Sequence, residues 1–502
     1  MKKIISFLLI TSCCFAQNQN NIWCFGDSAG IDFNSITATP IASGMRGRGG
    51  CTSVADSTGN LLFYSFTNAT NNYSTRVFNS QHQLMANGDT IVGEAWYNDM
   101  VSIPKPNSNN LFYLFSMSET NIPTEGMWLS TIDMNANAGL GAVIQKNSRI
   151  NNFRNADCVT AIQHGNGRDW WAFSKYSNTS GTQFNRTYTY LVTPDTIKPP
   201  IIQNFNNSTD VDVQRIIFRP DGNKMMQINV RGFMCEYDFD RCTGLFSNPI
   251  LIYPEQTSNF NRIFHEGAYS PDGSKFYAST RLFNTNDSYL LQYDLTAPSI
   301  PASVDTLITL TNPVMAGAIR LAPDSKIYFS SYYYWGFPGF PYPDTVYNQY
   351  NMNLGVINFP DSAGAACDFQ PFSFYLGGKR TYVGLPNNPD YNLGRLVGSP
   401  CDTLTGVAEI SDEHFGFSIS PNPTNGNFKI TYQFPQNKSG TLQIFDITGK
   451  MVYTTAREHP SGSRVSRGYV TMDVNCTTFA KGMYIVSLQT DKEILTKKFM
   501  KE

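Results

Sequence analysis

Apolar and polar residues alternate in short runs along most of this chain, and turn residues punctuate the runs at regular distances. The pattern is clearest in residues 216–230 (IIFRPDGNKMMQINV), 267–280 (GAYSPDGSKFYAST) and 318–331 (AIRLAPDSKIYFSS). Each reads as an apolar strand, a Pro-Asp-Gly or Pro-Asp-Ser turn, and a second strand. Proline presets the first turn torsion, aspartate accepts hydrogen bonds from the next backbone amides, and glycine tolerates a positive φ. The turn residues Asp221, Asp272 and Asp324 lie 51 and 52 residues apart. Upstream, equivalent turns fall at Gly59, Asn109 and Gly167, each before a run of aromatic and β-branched residues. A second signature, a later strand ending in apolar-Asp-apolar or a relative of it, recurs in phase. It is read at Val77 and Phe78, Ile132 and Asp133, Leu191 and Val192, Tyr237 and Asp238, Tyr293 and Asp294, and Tyr350 and Asn351.

Two signatures in phase at a period near 50 describe an all-β chain folded as a β-propeller, one blade per period. Seven blades are expected, with six as the alternative. The seventh would draw on 367–387 (CDFQPFSFYLGGKRTYVGLPN) and be closed by residues 22–26 near the N-terminus, because joining the two ends removes open sheet edges. The expected organisation is a signal peptide over 1–16, the propeller over 17–385, a linker rich in Pro, Gly and Asn over 386–416, and a small β-sandwich over 417–502. The sandwich is read from the alternation in 428–432 and 483–488 and from hairpin turns at Asn425-Gly426 and Thr448-Gly449-Lys450.

The first residues, MKKIISFLLITSCCFAQ, join two lysines to an apolar stretch and small residues at Ala16, as a secretory signal does. Cleavage after Ala16 is expected; the competing reading is a lipoprotein box ending at Cys13. No later segment is apolar for long enough to span a membrane as a helix. The net charge of −2 and a charged fraction of 15% give no footprint for nucleic acid. Aromatic residues reach 14%, which suits an exposed β surface built for contact.

Cleavage after Ala16 leaves Cys24, Cys51, Cys158, Cys235, Cys242, Cys367, Cys401 and Cys476. An exported chain permits disulfides among them. Cys235 with Cys242 across a hairpin and Cys367 with Cys401 between propeller and linker are the candidate pairs. Buried free thiols are the alternative.

Catalytic constellations are scarce. His265-Glu266 begins like a zinc-protease motif, but Tyr269 stands where the second histidine belongs. His82 and His164 read as surface turn residues. Asp27, Asp32, Glu94, Asp99, Asp157 and Glu266 are the carboxylates that could face a central channel, where a pair would suit a glycosidase or lyase. No metal-site spacing is present; calcium at the loop 26–34 (GDSAGIDFN) is the one cofactor to test. The strongest binding signal is the insertion 331–347 (SYYYWGFPGFPYPDTVY), whose Tyr332, Tyr333, Tyr334, Trp335, Phe337, Phe340 and Tyr342 could stack on sugars or apolar partners.

Residues 420–426 (SPNPTNG), 444–453 (IFDITGKMVY), 479–488 (FAKGMYIVSL) and 497–501 (KKFMK) resemble the type A C-terminal sorting domain of Bacteroidetes type IX secretion. The family's motif positions fall on Pro421, Asn422, Pro423, Gly426, Gly449, Lys450, Gly482 and Tyr484. The resemblance implies Sec export, engagement of the type IX secretion machinery, and passage to the surface or medium, with the tail removed or attached. The propeller region is similar to secreted propellers that carry this tail, through 22–34 (IWCFGDSAGIDFN), 84–88 (LMANG), 130–143 (STIDMNANAGLGAV) and 384–403 (GLPNNPDYNLGRLVGSPCDT). That likeness implies location and fold but no chemistry. Asp-Ser/Thr-aliphatic triplets beginning at Asp27, Asp89, Asp195, Asp305, Asp344, Asp361 and Asp402 resemble the O-glycosylation sites of such exported proteins; ordinary turn chemistry also explains each. The expected function is a secreted or cell-surface binding or scaffold propeller for an unknown glycan or protein. A polysaccharide hydrolase or lyase using the channel is the alternative.

Overall fold

The computed structural model describes residues 18–68, 74–93, 97–118, 125–178, 184–256, 262–282, 285, 287–333, 346–402, 418–433, 439–447, 449–458, 469–490 and 494–502. The chain divides into two compact units, Met1–Leu404 and Thr405–Glu502.

All six expected turns join the first and second strands of a four-stranded antiparallel sheet. In the turn after Gln214–Phe218, the Asp221 carboxylate accepts the Asn223 amide at 3.0 Å, and Gly222 takes φ +72°. Ser325 adopts the same left-handed conformation, φ 62°, where the third turn has no glycine.

Blade 1 runs from the second half of Thr39–Ala55 through Leu61–Asn68 and Ser74–Asn79 to Ile91–Val92. Blade 2 spans Met100–Pro104 to Ala142–Arg149, and blade 3 spans Thr160–Gln163 to Ile201–Asn204. Blade 4 spans Gln214–Phe218 to Leu245–Tyr253, blade 5 spans Ile263–Tyr269 to Asp305–Leu310, and blade 6 spans Val314–Leu321 to Phe369–Tyr375.

The seventh blade depends on the long strand Thr39–Ala55. Its first half pairs with Asp27–Asp32, which pairs in turn with Ile22–Phe25, whereas its second half has moved to blade 1 across a register shift between Gly47 and Cys51. Residues 22–26 therefore close the ring. The other chain end meets this sheet at Arg380, whose carbonyl accepts the Asp27 amide at 2.8 Å. One expectation needs correction: Phe369–Tyr375 is the outer strand of blade 6, not part of blade 7. Another concerns Tyr350 and Asn351. They lie in the short helix Gln349–Met352, capped by the Asn348 side chain, just before the third strand of blade 6.

Apolar layers between successive blades trace the ring. Val54 and Phe63 pack with Met100 and Leu114 of blade 2. Val101 and Phe115 pack with Trp170 and Tyr190 of blade 3. Phe173 packs with Ile216 and Phe239 of blade 4, Met226 with Phe276 of blade 5, and Tyr277 with Ile319 of blade 6. Trp23 and Phe25 of blade 7 join Tyr328 and Leu354 of blade 6 to Tyr64 and Phe66 of blade 1. Each large side chain buried in these layers contributes roughly 1.5–3 kcal/mol. An exposed ion pair contributes ~0–1 kcal/mol, so the layers dominate.

Past Leu385 the chain does not leave the propeller as the linker reading expects. Asn387 donates to the Met100 carbonyl at 2.9 Å and the Val159 carbonyl at 2.7 Å. Asn388 accepts from Thr52 and the Ser53 amide, Tyr391 donates to Ser102, and Leu396 donates to Gly165. Residues 386–402 thus form a strap across blades 1 to 4. It ends at a disulfide between Cys401 and Cys242, with Cα atoms 5.3 Å apart. Composition resembles that of a linker because the polar and turn-forming residues bond to inner-strand groups that no local pattern shows.

The disulfide overturns both candidate pairs. Cys235 is the second residue of the strand Met234–Asp240 and Cys242 lies beyond its end. The strand from Cys235 to Asp240 alone spans about 17 Å, and the two residues beyond it cannot return Cys242 to within the ~7 Å Cα limit for a bridge. Cys235 and Cys367 are buried free thiols.

In the C-terminal unit, Ser418–Ser420, Asn427–Gln433 and Tyr469–Asn475 form one sheet. Met451–Glu458, Ser439–Asp446, Gly482–Thr490 and Ile494–Lys501 form the other. Phe428, Ile430 and Val474 meet Leu442, Ile444, Val486 and Phe499 between them, which makes the expected sandwich.

Candidate functional site

The first strands of the blades bring a set of charged residues to the ring's axis. Asn98 precedes blade 2, Asp157 precedes blade 3, Arg215 lies on blade 4, Glu266 on blade 5 and Arg320 on blade 6. The Glu266 carboxylate, 2% exposed, accepts from Arg215 Nε, from Arg320 Nη1 and from Asn98 Nδ2, the last at 2.6 Å. Arg320 Nη2 donates to Asn98 Oδ1 at 2.8 Å, which closes the network across the ring. Arg215 Nη1 donates to the Asp157 and Gln214 carbonyls at 2.5 and 2.6 Å. Asp157 accepts the Tyr97 and Asn98 amides at 2.9 and 2.7 Å.

Burial alone would raise the Glu266 carboxyl, but Arg320 and Arg215 outweigh it and hold the group below the usual range. Asp157 is raised by burial despite Arg215. Asp99 is raised to about 8 by burial, with Thr67 opposing and Asp157 adding to the shift.

Glu266, Asn98 and Arg320 also line a cavity of about 270 Å³ on the side where the Pro-Asp-Gly turns and the strap lie. That is close to the lower end of small-molecule sites, roughly 300–1,000 Å³. The turns add Arg219 and Pro220, and the strap adds Asn387, Asn388, Asp390, Tyr391 and Asn392. Most of the ionised groups in the wall are matched: Glu266 by its two guanidiniums, and Arg219 by a bidentate pair with Asp221, Nε to Oδ1 at 2.9 Å and Nη2 to Oδ2 at 2.5 Å. Asp390 opens to the cavity, and burial within the surrounding wall raises its carboxyl. The remaining chemistry is amide and carbonyl.

Of the carboxylates singled out from sequence, Asp99, Asp157 and Glu266 are brought together at the axis. Asp27 is paired with Arg380 at the ring seam, Asp32 accepts the Asn34 amide at 2.8 Å, and Glu94 lies outside the described residues. No group of three or more His, Cys, Asp or Glu that could hold a metal occurs among the described residues. His164 is buried rather than on the surface: its Nδ1 accepts the Asn166 amide at 2.9 Å and its Nε2 lies 3.1 Å from the Cys242 carbonyl. His82 is half-buried, 3.3 Å from the Tyr64 hydroxyl.

Within the aromatic insertion, Tyr332 is 5% exposed and packs with Met315, Tyr382 and Val383. Tyr333 is half-buried against the same cluster. Both lie on the second strand of blade 6, so the strand continues two residues into what reads as a loop. Tyr334, Trp335, Phe337, Phe340 and Tyr342 lie outside the described residues. Thr90, Thr196 and Thr306 of the Asp-Thr triplets are exposed, whereas Thr345 and Thr403 fall outside the described residues. Sequence reasoning missed Asn98, Arg320, Asp390 and Asn392. The dense amides of 386–392 (PNNPDYN) were the available signal.

In the C-terminal unit, Asn422 accepts the Met500 amide at 2.9 Å and donates to the Lys498 carbonyl at 3.1 Å, so the Pro421-Asn422-Pro423 segment lies on the terminal strand. Gly426 accepts the Cys476 amide at 3.1 Å, and Lys450, following Gly449, donates its amide to Asp446 at 3.0 Å. Tyr484, two residues after Gly482, stacks on Phe499 and donates to the Ala480 carbonyl at 2.8 Å.

The molecule is thus a seven-bladed propeller followed by a β-sandwich. Residues 418–502 match the family model of the secretion system C-terminal sorting domain, and this sandwich is such a domain. It implies engagement of the type IX secretion machinery and export to the cell surface or beyond. No curated protein matches the chain. Among solved structures, the chain is similar to the β-propeller domain of Cps50 (Swd1) from Myceliophteria thermophila, with 10% identity and TM-score 0.36 over 62% of this chain and 93% of that one. It is similar to the Dos1 propeller, with 13% identity and TM-score 0.36 over 71% and 80%. It is also similar to a quinonprotein alcohol dehydrogenase-like protein from Bacteroides thetaiotaomicron VPI-5482, with 10% identity and TM-score 0.36 over 73% and 75%. Among the described residues no helix is long and apolar enough to cross a membrane.

Proposed function

We propose that this chain is a binding propeller of a Bacteroidetes bacterium. It is exported by Sec through an N-terminal signal cut after Ala16 and then by type IX secretion, and its ligand is a neutral glycan held in the axial cavity. The observation that carries this reading is the internal pairing of Glu266 with Arg215, Arg320 and Asn98. A carboxylate held as the anion by two guanidiniums is a weak proton acceptor and is poorly suited to proton transfer. A wall rich in amides and carbonyls suits hydroxyl groups instead.

A thermal-shift screen of the exported chain against neutral glycans tests this. A ligand at a hundredfold excess over its Kd raises the apparent stability by about 2.7 kcal/mol. The shift is expected to vanish in Asn392→Ala and to weaken in Asp390→Asn, since both residues open to the cavity. Conversion of the glycan, abolished by Asp390→Asn, would establish the hydrolase or lyase reading in its place. A shift from peptides alone would replace the glycan by a protein partner.

Export rests on the sorting domain. Deleting 405–502 is expected to leave a folded propeller inside the outer membrane, detected by fractionation. The same amount of protein in the medium after deletion would count against the tail as the export signal.

A further inference from the structure

Beside the Glu266 network, several buried polar groups around Tyr97 have unmet hydrogen-bonding capacity. Arg215 Nη2 has no partner within hydrogen-bond distance; Asp157 Oδ2 lies 3.9 Å from it. Asp99 Oδ1 is unmet, although Oδ2 accepts from Thr67 at 2.5 Å. Both nitrogens of His265 are buried and unmet. Arg215 and Asp99 are 2% and 0% exposed. Leaving such groups without a partner is costly, and folded proteins rarely do it.

Two of these groups flank the Tyr97 ring, and Asp99 interacts electrostatically with one of them, Arg215. The Arg215 guanidinium lies 5.1 Å from the Tyr97 ring centre, and the His265 ring lies 5.9 Å from it. In blade 5 the register between strands Ile263–Tyr269 and Lys275–Arg281 shifts between Phe264 and Glu266, so His265 is the extra residue of a bulge. Bulges re-aim side chains, and this one lets Glu266 and its neighbour serve different places.

We infer that the spot beside Tyr97 is a site for a small monovalent anion, with donors from Arg215 Nη2, one His265 ring nitrogen and the Asp99 carboxyl. The charges agree. Arg215, Arg281 and Arg320 outnumber the neighbouring carboxyl groups of Glu266 and Asp157. The Asp99 carboxyl, pushed to about 8 chiefly by burial, carries a proton at neutral pH and can donate. His265, lowered to about 4 first by burial and then by Arg215 and Arg281, is neutral there. The groups facing Asp99 are Asp157, Arg215, the Thr67 hydroxyl and the Cys51 thiol. This site is separate from the cavity, whose wall includes neither Asp99, Arg215 nor His265.

The test uses the full exported chain and bromide. Crystals grown with bromide are expected to show an anomalous peak between Arg215 and His265; ordered water alone at that place would overturn the proposal. In solution, bromide should stabilise the protein at pH 6.5 relative to gluconate at equal ionic strength. That stabilisation should disappear at pH 9.5, where ionised Asp99 repels the anion. Asp99→Asn stays neutral and should retain binding at both values. His265→Phe removes one donor and should weaken bromide about tenfold. Equal stabilisation by gluconate, or the same pH dependence in Asp99→Asn, would overturn it as well.

Discussion

Glu266→Gln is expected to lower the stability of the propeller by about 3–5 kcal/mol, the loss typical when one partner of a buried ion pair is removed. The substitution preserves shape, so it opens no cavity. It leaves Arg215 and Arg320 without their counter-charge at the axis, where Arg215 is 2% exposed. Urea unfolding followed by tryptophan fluorescence measures this cleanly, because all six tryptophans precede residue 336 and so report the propeller rather than the sandwich. A pH series adds a signed check. The Glu266 carboxyl is held below its usual value, so its contribution is present above the unfolded pKa of about 4.3 and is lost as pH falls through the folded value. Wild type and variant should converge in acid. A difference below about 1 kcal/mol at neutral pH would mean that water screens the network.

Cys401→Ser has the second large effect, a loss of about 2–5 kcal/mol. The bridge closes a loop with a sequence separation of 159, and long loops give the unfolded chain most freedom to lose. Reduction of the wild type should reproduce the variant. A peptide map without reduction should join the Cys242 peptide to the Cys401 peptide, while Cys235 and Cys367 react with alkylating reagents only after unfolding. Glycan affinity should fall too, since the far end of the strap comes free and the strap supplies Asp390 and Asn392 to the cavity wall. Unchanged stability with an intact Cys235–Cys242 peptide would refute the assignment.

Much of the fold is legible in the sequence because the signals are local. A Pro-Asp-Gly turn and the strands beside it lie within fifteen residues, and the same turn chemistry at Asp221 and Asp272 acts wherever it occurs. The candidate site was legible only in fragments. Glu266, Asp157 and Asp99 stood out as carboxylates, but nothing local pairs Glu266 with Asn98, which is 168 residues away. Tyr332 shows the opposite error. An aromatic run interrupted by proline and glycine reads as a loop from its start, yet the strand Ile327–Tyr333 carries it into the core.

The amino-acid order by itself determined the strand content, the blade period, the first-to-second-strand turns and the motifs of the sorting tail, all of which depend on neighbours along the chain. Tertiary structure decided the partner of Cys242, the course of residues 386–402 and the charge network at the axis. Those features join segments from opposite sides of a ring, and only closure of the ring brings them within bonding distance.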